Sequence, residues 1–257
     1  MEDLLSPELR QLKKRVEDVA ARDIAPLAEA VDRDATWPEH SLRALLSAGL
    51  GGLQAPRALG GHGQGLFALG IATEVIGRAC PSSALCFGMH CVGSAVIAAK
   101  ATPDHQSRYL RPIAEGRHIT TLALSEAGAG IHLYVPATRL RIEGSRYRVE
   151  GTKQFVTNGG HADSYVISTQ ASGAADGGDF SLLVVDKTTP GLHWQEPWRG
   201  LGMRGNSSRG LELRSAEVPR TNLLGEEGYL VAASGLLSPI PPRTVRAVLT
   251  VAFGANN

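Results

Sequence analysis

Two periodicities divide this chain. Up to about residue 117 the apolar residues recur every three or four positions; beyond it they alternate. Leu5, Leu9, Leu12, Val16 and Val19 form the stripe of an amphipathic helix, and Ser6-Pro7-Glu8 supplies its cap, an early proline and an early acid. A second helix opens at Trp37-Pro38-Glu39, turns Leu42, Leu45 and Leu46 inward and stops at Gly49. "PRALGGHGQG" (56–65) reads as a loop, and 66–78 and 82–99 as apolar helical stretches. A short helix starts at Thr102-Pro103-Asp104 and reaches Tyr109, Leu110 and Ile113.

Within "TRLRIEGSRYRVEG" (138–151), Leu140, Ile142, Tyr147 and Val149 share one face with arginines on the other, and Gly144-Ser145 makes the turn of a β-hairpin. "SYVISTQ" (164–170), "FSLLVVD" (180–186), "GLHWQ" (191–195) and "RGLELRSAEV" (209–218) read as further strands between Gly, Asp and Pro punctuation. Many short strands at this spacing predict a small barrel or sandwich. The expected fold is α+β: an all-α helical domain over 1–117, then a small β-barrel domain over 118–228. Residues 229–257 form an atypical tail, with Pro239, Pro241 and Pro242 breaking any helix there.

Composition narrows the function classes. Apolar residues make up 43% and charged residues 20%, an ordinary globular balance. A formal net charge of +1 offers no concentrated basic face for nucleic acid. No apolar run approaches the roughly 20 residues of a membrane helix, and "MEDLLSPELRQ" lacks the basic-then-apolar order of a signal peptide. Cys80, Cys86 and Cys91 are odd in number and without CxxC spacing, so a reduced, cytoplasmic protein is expected. Cys86 and His90 share a helix face, yet no third metal ligand stands at usable spacing. There is no GxSxG nucleophile elbow, and "GGHGQG" does not follow the dinucleotide fingerprint. Read alone, the Leu-rich strand at 122–125 is core, Thr157-Asn158-Gly159-Gly160 is a turn, and Arg204 is a solvated loop charge.

Five segments in order resemble one family, the acyl-CoA dehydrogenases. They are "SAGLGGLQAPRALGGHGQG" (47–65), "ATEVIGRACPSSAL" (72–85), "RYLRPIAEGRHITTLALSEAGAG" (108–130), "VEGTKQFVTNGGHADSYVI" (149–167), and "GLGMRGNSSRGLEL" with "VPRTNLLGEEG" (200–228). The resemblance implies an N-terminal helical domain, a middle β-barrel and a C-terminal four-helix bundle, with FAD against the barrel. It implies α,β-dehydrogenation of an acyl-CoA or acyl-carrier thioester, hydride transfer to the flavin, and a glutamate base from the bundle. An electron-accepting flavoprotein partner and a homo-oligomer built through the bundle are also implied.

By the same resemblance Leu122, Leu124 and Ser125 offer a backbone edge and a hydroxyl to the flavin's polar rim. Phe155, Val156 and Thr157 pack beside the ring, and Gly128 and Gly130 let ligand approach the backbone. The family's Gly-Ala-Gly is usually followed by Ser-Asp; here Ile131 and His132 stand in those places, so the contact at Ile131 toward substrate loses its hydrogen bond. Nothing after Gly228 matches the bundle, and the tail reads as unrelated or frame-shifted. The expectation is therefore a truncated FAD-dependent dehydrogenase-like chain, weak or inactive by itself. The alternatives are a non-catalytic acyl- or partner-binding member and a flavin monooxygenase on the same scaffold.

Overall fold

Ser6 begins the first helix as its sequence requires, its Oγ accepting from Leu9 N at 3.2 Å. The computed structural model describes residues 5–128, 136–170 and 180–225. Helix α1 (Pro7–Val19) turns Leu12, Val16 and Val19 into the core. The chain then widens through Ala20–Ile24, tightens over Ala25–Leu27 and resumes as α2 (Ala28–Arg33). Pro26, which has no N–H to give, accounts for the break. Helix α3 (Glu39–Ser47) buries Leu42, Leu45 and Leu46 and is closed by Gly49 at φ +77°. Two long helices follow, α4 (Leu66–Ala79) and α5 (Pro81–Ala99). The helical part ends with α6 (Pro103–His105), a wide turn over Gln106–Leu110, and α7 (Arg111–Ala114).

Helix α5 corrects one expectation. An 18-residue stretch of its 19 residues has a mean hydropathy of 1.5, long and apolar enough to cross a membrane by length and composition. Serines, glycines and a histidine interrupt its apolar residues, so no run stands out, yet it carries no charge. Its place is that of a core helix, with Cys86, Phe87, Cys91 and Ile97 buried and α4 and β1 packed on it.

The strands are β1 (Thr120–Ala123), β2 (Arg139–Glu143), β3 (Arg146–Val156), β4 (Ser164–Gln170), β5 (Phe180–Asp186), β6 (Leu192–Pro197), β7 (Arg209–Pro219) and β8 (Leu223–Leu224). They form one sheet in the order β6-β7-β3-β2-β4-β5-β8, with β1 running parallel beside β4. The predicted hairpin is β2–β3, turning at Gly144 with φ +58°. Leu140, Tyr147 and Val149 face inward as the alternation requires, whereas Ile142 is 44% exposed. Ile142 pairs with Tyr147 next to the turn, where the larger ring reaches the core and the isoleucine does not.

Strands β4 and β5 are buried on both faces. Tyr165, Ile167, Leu183 and Val185 point into the core beneath the sheet. Val166, Leu182 and Val184 point the other way, onto Ile97, Tyr109, Leu110 and Ile113 of the helices. A polar clasp supports that junction: Arg108 donates to Asn222 at 2.8 Å, to Asp186 at 3.0 Å and to the Tyr109 hydroxyl at 2.8 Å. The architecture is a helical N-terminal domain joined to a β-sheet domain. Gly130, Ile131 and the tail from residue 229 lie outside the described residues.

Candidate functional site

Strand β3 loses its alternation near its end. Lys153 faces inward and is fully buried, so Phe155 is due inward two residues later. A register shift against β7 between Lys153 and Val156 instead turns Val156 into the sheet core and leaves Phe155 56% exposed. Phe155 has φ +53°, and Asn158, Met203 and Ser207 have φ +62°, +52° and +49°. Four of the six described non-glycine residues with positive φ thus belong to segments 155–158 and 203–207. Each such conformation costs roughly 1–3 kcal/mol and persists only where its surroundings fix it.

Those surroundings are hydrogen bonds between the two segments. Asn158 N donates to Asn206 O at 3.1 Å, and Gly159 N donates to Ser207 O at 3.0 Å. The buried Asn158 side chain accepts from Trp37 Nε1 at 2.9 Å and donates to Cys86 O at 2.9 Å. Gly205 N donates to Ser82 Oγ at 3.1 Å, tying the same loop to the start of α5. Thr157 Oγ1 lies 3.2 Å from Ser208 Oγ, both residues being buried. Ser208 O accepts from Trp198 N at 2.7 Å, and the exposed Trp198 ring meets Phe155 edge-on with centroids 6.0 Å apart. The stretch that reads as a plain turn is a knot joining β3, β7 and the helices.

Strand β1 ends at Ala123, one residue short of Leu124 and two short of Ser125. Leu122 and Leu124 pack partly buried against the core shared with the helices. Ser125, half-buried, is carried to the end of β3, its carbonyl accepting from Gln154 N at 2.8 Å. Among the predicted cofactor residues the fold thus brings Ser125 to Gln154, the residue that precedes Phe155. Gly128 follows at φ +83°, with open space where a Cβ would stand.

Residue type and spacing assign no role to Glu126 or Lys153, yet the two form a buried ion pair. Lys153 Nζ donates to Glu126 Oε1 at 2.5 Å and to Ser168 Oγ at 2.9 Å. Glu126 also accepts from Ala137 N at 2.5 Å, from Thr138 N at 3.1 Å and from Thr138 Oγ1 at 2.6 Å. Burial pushes the Lys153 ammonium down to about 8 against the pull of Glu126. At Glu126 burial acts upward, but the Lys153 charge and these hydrogen bonds win and hold the carboxyl below its ordinary value. Both groups are charged at neutral pH. The available signal was that Lys153 continues the inward-facing series of Tyr147 and Val149 past the irregularity at Gly151.

Beside the knot runs an apolar groove of about 510 Å³ between α4 and α5, floored by Gly70, Gly77 and Gly88 and edged by Leu85, Met89 and Met203. No charged residue lines it. Met203 belongs both to this groove and to the strained loop. Arg204, which read as a loop charge, pairs with Asp32 of α2 at 2.6 Å.

His90 is a structural residue. Its Nδ1 accepts from Thr120 N at 3.2 Å, so Nε2 carries the proton and donates to Gly51 O at 2.9 Å. Burial lowers its pKa to about 4, which keeps the ring neutral. Both nitrogens are consumed, and the neighbouring Cys86 Sγ lies 3.6 Å from Asn206 O.

Comparison with known proteins agrees with this architecture. Residues 6–117 match the acyl-CoA dehydrogenase N-terminal domain and residues 121–216 the acyl-CoA dehydrogenase middle domain. Cyclohex-1-ene-1-carbonyl-CoA dehydrogenase of Geobacter metallireducens is 35% identical over 225 residues, covering 87% of this chain and 59% of that protein. The chain therefore spans less than two thirds of the length of this relative. An acyl-CoA dehydrogenase complexed with FAD from Bacillus anthracis superposes with a TM-score of 0.79 at 29% identity, over 90% of this chain and 39% of that one. Butyryl-CoA dehydrogenase from Megasphaera elsdenii shares the fold, with a TM-score of 0.83 at 23% identity over 90% of this chain and 62% of that one. With both matched domains in order and the helix-then-sheet fold in place, the chain belongs to the acyl-CoA dehydrogenase family.

Proposed function

We propose that this chain provides the flavin-facing part of an FAD-dependent site that dehydrogenates an acyl-CoA thioester. The observation that carries this reading is the exposed Phe155–Trp198 pair, in which Phe155 is held at φ +53° between Gln154, bonded to Ser125, and Thr157. An outward-facing aromatic surface next to hydroxyls suits a planar ring with a polar rim. The flavin, when bound, supplies the acceptor for the hydride.

The chain's own residues have other tasks. Phe155 covers the ring and excludes water. Thr157, whose hydroxyl is oriented by Ser208, and Ser125 offer hydrogen bonds to the polar edge. The uncharged α4–α5 groove takes the hydrocarbon end of the thioester. The general base implied by the resemblance comes from a bundle outside the two matched domains, so the residues of those two domains serve to bind and orient the ligands. Three free, buried cysteines suit a reducing, cytoplasmic setting.

The test is to load the purified chain with FAD, record its visible spectrum and add acyl-CoA without oxygen. Retained flavin is expected, bleached by acyl-CoA, with about tenfold weaker FAD binding in Phe155→Ala through loss of the aromatic contact. A chain that never holds FAD would refute the reading. Acyl-CoA binding without flavin would favour the non-catalytic alternative, which the uncharged groove supports.

A further inference from the structure

The flavin reading leaves Glu126 and Lys153 without a task, although they adjoin the bulge that presents Phe155. We propose that this buried pair is a positioning device, which locks the β3 bulge and the Ser125–Gln154 contact and thereby aims Phe155 and the Ser125 edge at the bound flavin. The proposal rests on the flavin reading above.

The geometry is a double link between neighbouring residues. Gln154 N reaches Ser125 O at 2.8 Å, and Lys153 Nζ reaches Glu126 Oε1 at 2.5 Å. A slip of either segment by one residue breaks both links at once and sends Phe155 to the other face. The pair also gathers the elements around it. Glu126 holds Ala137 and Thr138 at the entry to β2, and Lys153 holds Ser168 on β4. Gly151, at φ +153°, leaves the space this needs: a Cβ there would come within 2.5 Å of Thr138 Oγ1 and 2.7 Å of Thr138 Cα.

Stability alone gives the pair little reason to exist. Two charges must leave water, and apolar residues of the same volume often serve a core equally well or better. What apolar residues lack is direction. A carboxylate with three further donors and an ammonium shared with a serine fix one register, and the bulge follows from it. Lys153 takes the inward place before the bulge, Val156 the inward place after it, and Phe155 is left facing outward.

The experiment uses the double variant Glu126→Gln/Lys153→Met in the full chain, which removes both charges and nearly preserves volume. The readouts are amide exchange at Gln154, FAD affinity by flavin fluorescence, and the visible flavin spectrum. The variant is expected to remain folded, with Gln154 exchanging about tenfold faster as its lock is lost. FAD is expected to bind about tenfold more weakly or worse, with a spectrum closer to free flavin. A folded double variant with unchanged Gln154 exchange and wild-type FAD affinity overturns the proposal.

Glu126→Asp keeps the charge but shortens the reach, and decides the matter if the double variant does not fold. Faster Gln154 exchange with weaker FAD binding supports the proposal, and no change in either rejects it. Should the wild-type chain not hold FAD, the flavin reading falls by itself. Gln154 exchange then decides the anchoring: acceleration upholds it and constancy ends it.

Discussion

Lys153→Met, with Glu126 left in place, is expected to remove about 3–5 kcal/mol of unfolding free energy at neutral pH, because it strands a buried carboxylate. That is a large fraction of the roughly 5–15 kcal/mol that holds a typical domain together. Its pH dependence identifies the cause. In the wild type the Glu126 carboxyl lies below its ordinary value, held there by Lys153 and by donors from Thr138 and Ala137. Its contribution is complete above the ordinary carboxylate pKa and is lost as pH falls through the lower folded value. Without Lys153, burial pushes the same carboxyl upward, and protonation relieves it. The variant's deficit should therefore be widest near neutrality and shrink on acidification. Urea denaturation of both proteins across that range measures it. A deficit that is small, or constant with pH, would contradict the stranded-charge account.

Gly61→Ala should cost about 3 kcal/mol, since it combines overpacking with lost backbone hydrogen bonds. A Cβ at residue 61 would overlap the Ala55 carbonyl oxygen and come within 2.5 Å of the Ala55 carbonyl carbon. These are main-chain atoms, so no rotamer change relieves the clash. The segment that must yield is held by His62 N to Gly52 O and by Gly63 N to Ala55 O, each at 2.9 Å. A thermal melt that matches the wild type would show the loop to be softer than these contacts require. The glycine-rich run at 60–65 thus has a steric reason within the fold, separate from any ligand.

Much of the fold was legible because single-residue patterns carry it. The stripes of α1 and α3, the caps at Ser6 and Thr102, and the alternation through β2–β3 depend on neighbours a few residues away. What escaped depends on distant partners. Ile142 obeys the alternation and still faces water, because only the position of Tyr147 decides which side chain reaches the core. The bulge at Phe155 arises from pairing with β7, more than 50 residues later, and leaves no mark in the local period. Asn158 reads as a turn residue by type, yet its side chain ties together Trp37 and Cys86. The grouping of Ser125 with Phe155–Thr157 came from resemblance to a family, since neither residue type nor spacing singles out those positions. Glu126 and Lys153 stand among other polar residues in sequence, and their pairing spans 27 residues and needed the fold to reveal it.

Strands β4 and β5 have apolar side chains on both faces, one set serving each half of the molecule. There is consequently no seam along which the helical and sheet halves can part without exposing oily surface on both sides. A fragment ending near residue 117 would leave Ile97, Tyr109, Leu110 and Ile113 bare, and one beginning there would uncover Val166, Leu182 and Val184. Cutting the chain between the two matched domains would therefore bare apolar side chains on both pieces.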